Sequence, residues 1–292
     1  MKKRIREGIR KIHLRKLCGI LLLLVPAFIA CYPILFLFTG SLMGRDELRE
    51  NLAPVLSGGP GYIRWTLFPL YPTLRSWVQV LLDTPEAFVM FWNSVKLTGA
   101  ILAGQLLVGV PAAWGFARYR FPGRKLFFTV YIILMMMPFQ VLMLSEYLVF
   151  DKLHLLDHHL SVILPAVFST FPVFIMYRFF CGIPDAIIES AKLDGAGAVQ
   201  IFWYIGLPIG SGGLVSAVVL GFLEYWNLIE QPLTFLKTKS LWPMSLFLPN
   251  IRLDKAGLAF AASVLMLLPA FFVFLGGQDY LEQGIVSAAV KE

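Results

Sequence analysis

Few residues in this chain of 292 have types and spacings that could do chemistry. Three of its four histidines fall in DKLHLLDHH, where Asp151, His154 and His158, at i, i+3 and i+7, would share one face of a helix. That spacing could hold a metal ion, but no cysteine or second ligand group lies nearby in sequence. A polar loop accounts for the cluster equally well, so no metal site is assigned. Ser211 sits in GSGG without the G-x-S-x-G frame of a nucleophile elbow, and its glycines read as sites of close helix packing or a bend. There is no G-x-x-x-x-G-K-[ST] stretch to cradle a nucleotide phosphate. No catalytic residue and no bound cofactor are therefore expected. What remains is IPDAIIESAKLDGAGAVQIFWYIGLP, Ile183–Pro208, a polar, Gly/Ala-rich helical segment between two long apolar runs.

The elements that must position this segment are apolar. With 58% hydrophobic and 15% charged residues, the chain belongs in a bilayer. Six runs free of Asp, Glu, Lys and Arg approach the roughly 20 residues needed to span it. They are Leu17–Gly44, Leu97–Ala117, Leu126–Ser145, Leu160–Tyr177, Ile201–Leu223 and Ala256–Gln278. None alternates like a barrel strand, so the expectation is an all-α, polytopic membrane protein. Pro26, Pro33, Pro111, Pro138, Pro165, Pro172 and Pro269 fall inside these runs and predict kinked helices. The first run is too long for the h-region of a cleaved signal peptide. Cys18, Cys31 and Cys181 lie in or beside spans and read as packing residues, with no disulfide framework.

The net charge of +7 is concentrated at one membrane face, which argues against a nucleic-acid partner. Eight Lys and Arg residues precede the first run, and Arg118, Arg120, Arg124 and Lys125 follow the second. By the positive-inside rule both termini are expected in the cytoplasm. Residues 1–16 are a basic cytoplasmic segment, 17–281 a single six-span domain and 282–292 a cytoplasmic tail. Three segments then face outward, the first read as turns plus a short helix near Leu74–Leu82. Lys96, Glu146, Arg178 and Glu224 are placed near span ends, and so few deep charges disfavour an ion-coupled secondary transporter of small solutes, the alternative function.

Alternation of sides puts residues 181–208 in the cytoplasm. Pro184 suits a first helical position, Asp185 and Glu189 favour the positive end of the helix dipole, and Ile187, Ile188 and Ala191 form an apolar stripe. Asp194-Gly195 then breaks the helix, Asp194 is expected to cap the next one, which starts among Ala196 and Ala198, and Pro208 marks a bend. A membrane-surface helix would carry bases rather than acids, so the segment predicts docking of a soluble partner. Glu224, Tyr225, Trp226 and Asn227 combine aromatic faces with polar groups and read either as contacts for a substrate or an external protein or as an interfacial aromatic belt.

ESAKLDGAGAVQIFWYIGLP strongly resembles the Glu-Ala-Ala signature loop of permease subunits in binding-protein-dependent ABC importers. The matching positions are Glu189, Ala191, Asp194, Gly195, Ala196, Phe202, Ile205, Leu207 and Pro208, with Ser190 where the family usually has its second Ala. Asn93-Ser94, ARYRFPGRK, Trp226-Asn227 with Pro232-Leu233, and the tail GIVSAAVKE resemble words of the carbohydrate-type, maltose-transporter-like branch, so the resemblance covers almost the whole chain. Leu228 and Ile229 depart from that branch, which has an acidic and an aromatic residue there. The resemblance implies a type I importer permease whose signature helix couples to an ATPase, with Ser190 and the nine matching positions as the coupling residues. It implies as partners a second homologous permease, two ABC ATPase subunits that hold ATP and magnesium, an external solute-binding protein, a carbohydrate cargo and membrane lipid. This chain would carry force without hydrolysing ATP.

Overall fold

The computed structural model describes residues 2–56, 62, 66, 68–247 and 255–289, with side chains from Gly19 to Leu281 apart from Leu21. Most of the Gly/Pro-rich stretch at 57–67, the side chains of the basic N-terminal segment and those of the tail GIVSAAVKE lie outside these. Every regular element among the described residues is helical, as the lack of strand-like alternation requires. The helices are α1 (Lys2–Ser41), α2 (Arg45–Leu56), α3 (Arg75–Val78), α4 (Pro85–Arg118), α5 (Arg124–Met135), α6 (Phe139–Lys152), α7 (Leu160–Val167) and α8 (Thr170–Cys181). They continue as α9 (Asp185–Leu193), α10 (Ala198–Ile201), α11 (Leu207–Ile209), α12 (Ser211–Trp226), α13 (Glu230–Phe235) and α14 (Ala256–Ala289).

Among the described residues, four stretches are long and apolar enough to cross a membrane: Leu22–Ser41, Pro85–Arg118, Leu160–Cys181 and Ala256–Leu281. Two further pairs qualify as one span each if the bend is allowed, α5 with α6 at 101° and α10–α11 with α12 at 65°. All six apolar runs thus fall on these stretches, and the count is four, or up to six with the broken pairs. Proline explains only some breaks. Pro138, extended at φ −70° and ψ 149°, caps α6 at the sharpest one, because a residue without an N–H and with a fixed φ suits a helix start. Pro26, Pro33, Pro111 and Pro269 instead lie inside helices that continue through them. The bend expected at Pro208 falls at Gly210, between α11 and α12. Cys31 and Cys181, read as packing residues, are exposed.

The chain divides into two compact units, Met1–Thr84 with Asn250–Leu265 and Pro85–Pro249 with Met266–Glu292. In the first, Met43, Leu48, Leu52 and Ala256 form a core with Phe36 and Phe260, whose rings meet edge to face at 5.4 Å. The expected short helix is α3, prolonged by a wider turn over Gln79–Asp83, but α2 is an additional helix. Asp46 and Glu47 in its first turn complement its dipole, and the Trp77 indole N–H donates to Ser41 Oγ at 3.2 Å beside it.

In the second unit α4 is the central helix, packed against α7, α8 and α12. Gly213 on α12 lets it approach α8 closely, since a Cβ there would come within 2.7 Å of the Phe179 ring. Asn93 donates to the carbonyls of Ser240 (2.7 Å) and Trp242 (3.1 Å), and Ser94 Oγ accepts the Met244 N–H at 2.9 Å. The Asn-Ser pair therefore ties the start of α4 to the loop after α13.

The Asp151, His154 and His158 trio does not share a helical face. α6 ends at Lys152, and His154 and Asp157 take positive φ (54° and 62°) in the turn that follows. Asp157 instead clamps the loop after α13. Its Oδ1 accepts the N–H groups of Lys237 (2.9 Å) and Thr238 (2.8 Å), and its Oδ2 accepts the Thr238 hydroxyl at 2.5 Å. The Thr238 hydroxyl, and then the backbone donors, hold this carboxyl below the usual carboxylate range. A depressed folded value means that the clamp contributes fully above the unfolded value near ~3.9 and is lost as pH falls through the folded value. Hydrogen exchange, corrected for intrinsic rates, should show the Lys237 and Thr238 amides protected at pH 6 and roughly threefold or more less so well below pH 3.9. Asp157→Ala should show the low-pH behaviour at pH 6.

Candidate functional site

Two places gather the chemistry-bearing side chains, the loop from α8 to α12 and a cavity among α5–α8, α12 and α13. The loop begins where Gly182 ends α8. Pro184 is extended (φ −59°, ψ 134°) and stands one place before the first helical residue, so it is the N-cap rather than the first position. Asp185 in the first turn of α9 and Lys192 in the last both complement the helix dipole.

α9 stops in a Schellman motif. Asp194 is the C-cap, Gly195 takes φ +85°, and the N–H groups of Gly195 and Ala196 return to the carbonyls of Lys192 (3.1 Å) and Ala191 (2.9 Å). Asp194 therefore closes α9 and does not cap the next helix. That cap is Gly197, whose N–H is accepted by Gln200 Oε1 at 2.8 Å. α10 widens over Phe202–Gly206 before Pro208, the residue that cannot supply an N–H to the ladder.

The loop is fastened to the bundle by α4. Trp114 is 6% exposed, meets the Phe180 ring edge to face at 5.2 Å and lies 5.6 Å from the Phe202 ring. Around it pack Val110, Val173, Met176, Ile183 and Ile201, with Ile188, Ala191, Ala196, Ile205 and Leu207 at the border. One turn further along α4, Arg118 sits against the Trp114 face at 5.8 Å. Its Nη1 pairs with Asp185 Oδ1 at 2.7 Å, and its Nη2 donates to the carbonyls of Phe180 (2.6 Å) and Ile183 (2.5 Å). The guanidinium thus joins the end of α8 to the start of α9.

The ten expected coupling positions divide by burial. Glu189, Ser190, Asp194, Gly195 and Pro208 are exposed, whereas Ala191, Ala196, Phe202, Ile205 and Leu207 are half-buried against the Trp114 cluster. Ser190 Oγ donates to the Ile187 carbonyl at 3.0 Å, so it serves its own helix. A hollow of about 330 Å³ lies beside the turn, lined by Asp194, Gly195, Gln200 and Tyr204 among others. Sequence reasoning missed three contributors. Arg118 was counted only as loop charge and Trp114 only as part of an apolar run. Leu193 is 89% exposed, and its signal was an apolar residue immediately before Asp-Gly.

The cavity holds about 500 Å³. Its walls are the α5–α6 break (Met137, Phe139), the α7–α8 break (Phe168, Ser169, Thr170) and the end of α12 with α13. Gln105, 3% exposed on α4, joins these walls through Nε2, which reaches the Ala166 carbonyl at 2.7 Å and the Tyr225 hydroxyl at 3.0 Å. Of the four expected pathway residues, Glu224 and Tyr225 line the cavity. Trp226 does not; it is 2% exposed, stacks on Phe222 and donates its indole N–H to the Met266 carbonyl at 2.8 Å. Asn227 is exposed and donates to the Leu223 carbonyl. Glu146, expected at a span end, lies midway along α6 and lines the cavity, with Oε2 buried and without a partner among the described residues.

Comparison with known proteins bears on both places. The profile of the family described as "Binding-protein-dependent transport system inner membrane component" matches residues 105–287, which include the whole loop. The chain is 28% identical over 268 residues to the arabinooligosaccharides transport system permease protein of Halalkalibacterium halodurans, covering 91% of this chain and 92% of the relative. It is 26% identical over 290 residues to the sn-glycerol-3-phosphate transport system permease protein of Yersinia enterocolitica, covering 94% and 95%. Its fold matches a chain in the crystal structure of a bacterial ABC transporter involved in the import of the acidic polysaccharide alginate, with TM-score 0.77, 20% identity and coverage of 92% and 96%.

Replacing Arg118 tests how α9 is held. Arg118→Gln should leave the bundle folded while the α9 amides exchange roughly ten- to a hundredfold faster, the loss expected for hydrogen bonds from a charged donor. Arg118→Lys should recover only part of the protection, because an ammonium lacks the planar fork. Unchanged exchange in Arg118→Gln would mean that the Trp114 cluster alone holds α9.

Proposed function

The chain belongs to the family of binding-protein-dependent transport system inner membrane components, and from that premise we propose that it is one permease subunit of an ATP-driven carbohydrate importer. Paired with a second, homologous permease, it would form half of a translocation pathway across the cell membrane, with both termini in the cytoplasm. An external solute-binding protein would deliver the cargo. Two ATPase subunits would hold ATP and magnesium, so that this chain binds no cofactor and performs no hydrolysis.

The observation that carries this reading is the loop itself. α9 presents Glu189, Leu193 and the left-handed Gly195 outward, while its other face and Arg118 tie it to α4. Such an element transmits displacement of a bound partner to the spans, because interfaces of packed helices shift as units. The cavity supports the pathway role. It lies where the α5–α6 and α7–α8 breaks meet the end of α12, and its size falls in the usual range for small-molecule sites. The arabinooligosaccharides and lactose for which relatives are named support a carbohydrate cargo.

Affinity purification of the tagged chain from its native membranes tests the proposal. The wild type should bring down a P-loop ATPase and a second permease. Gly195→Val forces a β-branched residue into a left-handed conformation, at a cost of about 1–3 kcal/mol, and should retain far less ATPase with the permease pair intact. Glu189→Lys should lower ATP-dependent uptake in proteoliposomes at least tenfold. Recovery of the chain alone, with no ATPase in either sample, would overturn the reading.

A further inference from the structure

The charge of the cavity is one-sided. Among its described lining residues are two carboxylates, Glu146 and Glu224, and no Lys, Arg or His. The other polar groups there are neutral: the Ser169 and Thr170 hydroxyls, the Tyr225 phenol and the Gln231 amide. Glu146 Oε2 is buried with no hydrogen-bond partner among the described residues, so this carboxylate is not neutralised by a neighbouring donor there. A third acid adjoins the lining. Glu230, next to Gln231, takes both of its short contacts from Gln140 Nε2, at 2.7 Å and 2.7 Å, an amide that satisfies its oxygens without cancelling its charge. Phe139, Phe168 and Phe171 add aromatic faces, which suit the C–H face of a sugar ring or a cation.

We propose that this cavity admits neutral and amine-bearing carbohydrates and excludes solutes that carry carboxylate, sulfate or phosphate groups. The proposal rests on the reading of the chain as a pathway-forming permease and adds to it the class of cargo. Sugar hydroxyls and ammonium groups both donate to carboxylate oxygens, whereas an anionic solute meets acceptors with no donor of opposite charge, in surroundings where charges are weakly screened. Two similar proteins are named for an acidic polysaccharide and a phosphate ester, classes of cargo that this cavity would exclude.

Matched charged thiol reagents test it without knowledge of the natural cargo. Thr170→Cys is placed in a background where Cys18, Cys31 and Cys181 are serine, and the assembled importer is treated in membrane vesicles with a trimethylammonium-ethyl or a sulfonatoethyl methanethiosulfonate. Rates are divided by those of a small free thiol in solution. The cationic reagent should be favoured at least tenfold beyond the solution ratio, and the preference should fall at least fivefold in Glu146→Gln/Glu224→Gln. A solution-like ratio, or a preference untouched by the two glutamines, would overturn the charge selection and leave the permease reading standing. No reaction with either reagent, with or without ATP, would remove the cavity from any aqueous pathway and take both readings down together.

Discussion

The loop that carries the candidate function depends on one guanidinium. Arg118 satisfies the Phe180 and Ile183 carbonyls at the end of α8, where helix geometry leaves acceptors without intrahelical donors, and pairs with Asp185 at the positive end of α9. An exposed ion pair is worth little, and Asp185 is 86% exposed on its side chain. The strength lies in the other contacts, since the Arg118 side chain is only 12% exposed and rests on Trp114. The planar fork meets acceptors from two elements at once, which a point charge does not do. Arg118 therefore ties α9 to α4, the helix that packs against α7, α8 and α12.

The same economy of polar groups shapes the cavity. Helices broken within a membrane expose backbone carbonyls that lipid cannot satisfy, so such breaks survive only where protein or an enclosed space covers them. Gln105 covers one of these carbonyls, that of Ala166 at the end of α7, and holds Tyr225 with the same nitrogen. Asn93 and Ser94 do the equivalent for the loop after α13. Glu146 keeps a buried oxygen with no partner among the described residues, a cost that a donor from outside the chain would relieve.

The amino-acid sequence carried the secondary structure of the loop almost to the residue, because helix, turn and helix are written in local chemistry: Pro before the start, Asp and Lys at matching ends, Asp-Gly at the stop. Its errors were local too. Asp194 closes α9 instead of capping α10, a role that falls to Gly197, because the Schellman bonds of Gly195 and Ala196 place the end of α9 at Asp194. Helix α2 went unread because its pattern is broken by Pro54 and its mixture of charges resembles a loop.

By itself the sequence determined the class of protein, the apolar runs and the loop between them, since hydropathy, proline and charge act over a turn or a span and need no distant partner. Only the tertiary structure decided which of the suggestive side chains meet. Trp226, read as a pathway residue, turned into the core, while Glu146, 78 positions before Glu224 in the chain, joined it at the cavity. Trp114 and Arg118 became the seat of a helix some 70 residues away. Such encounters depend on how kinked helices cross, and a crossing is set by the fit of both surfaces, which neither segment encodes alone.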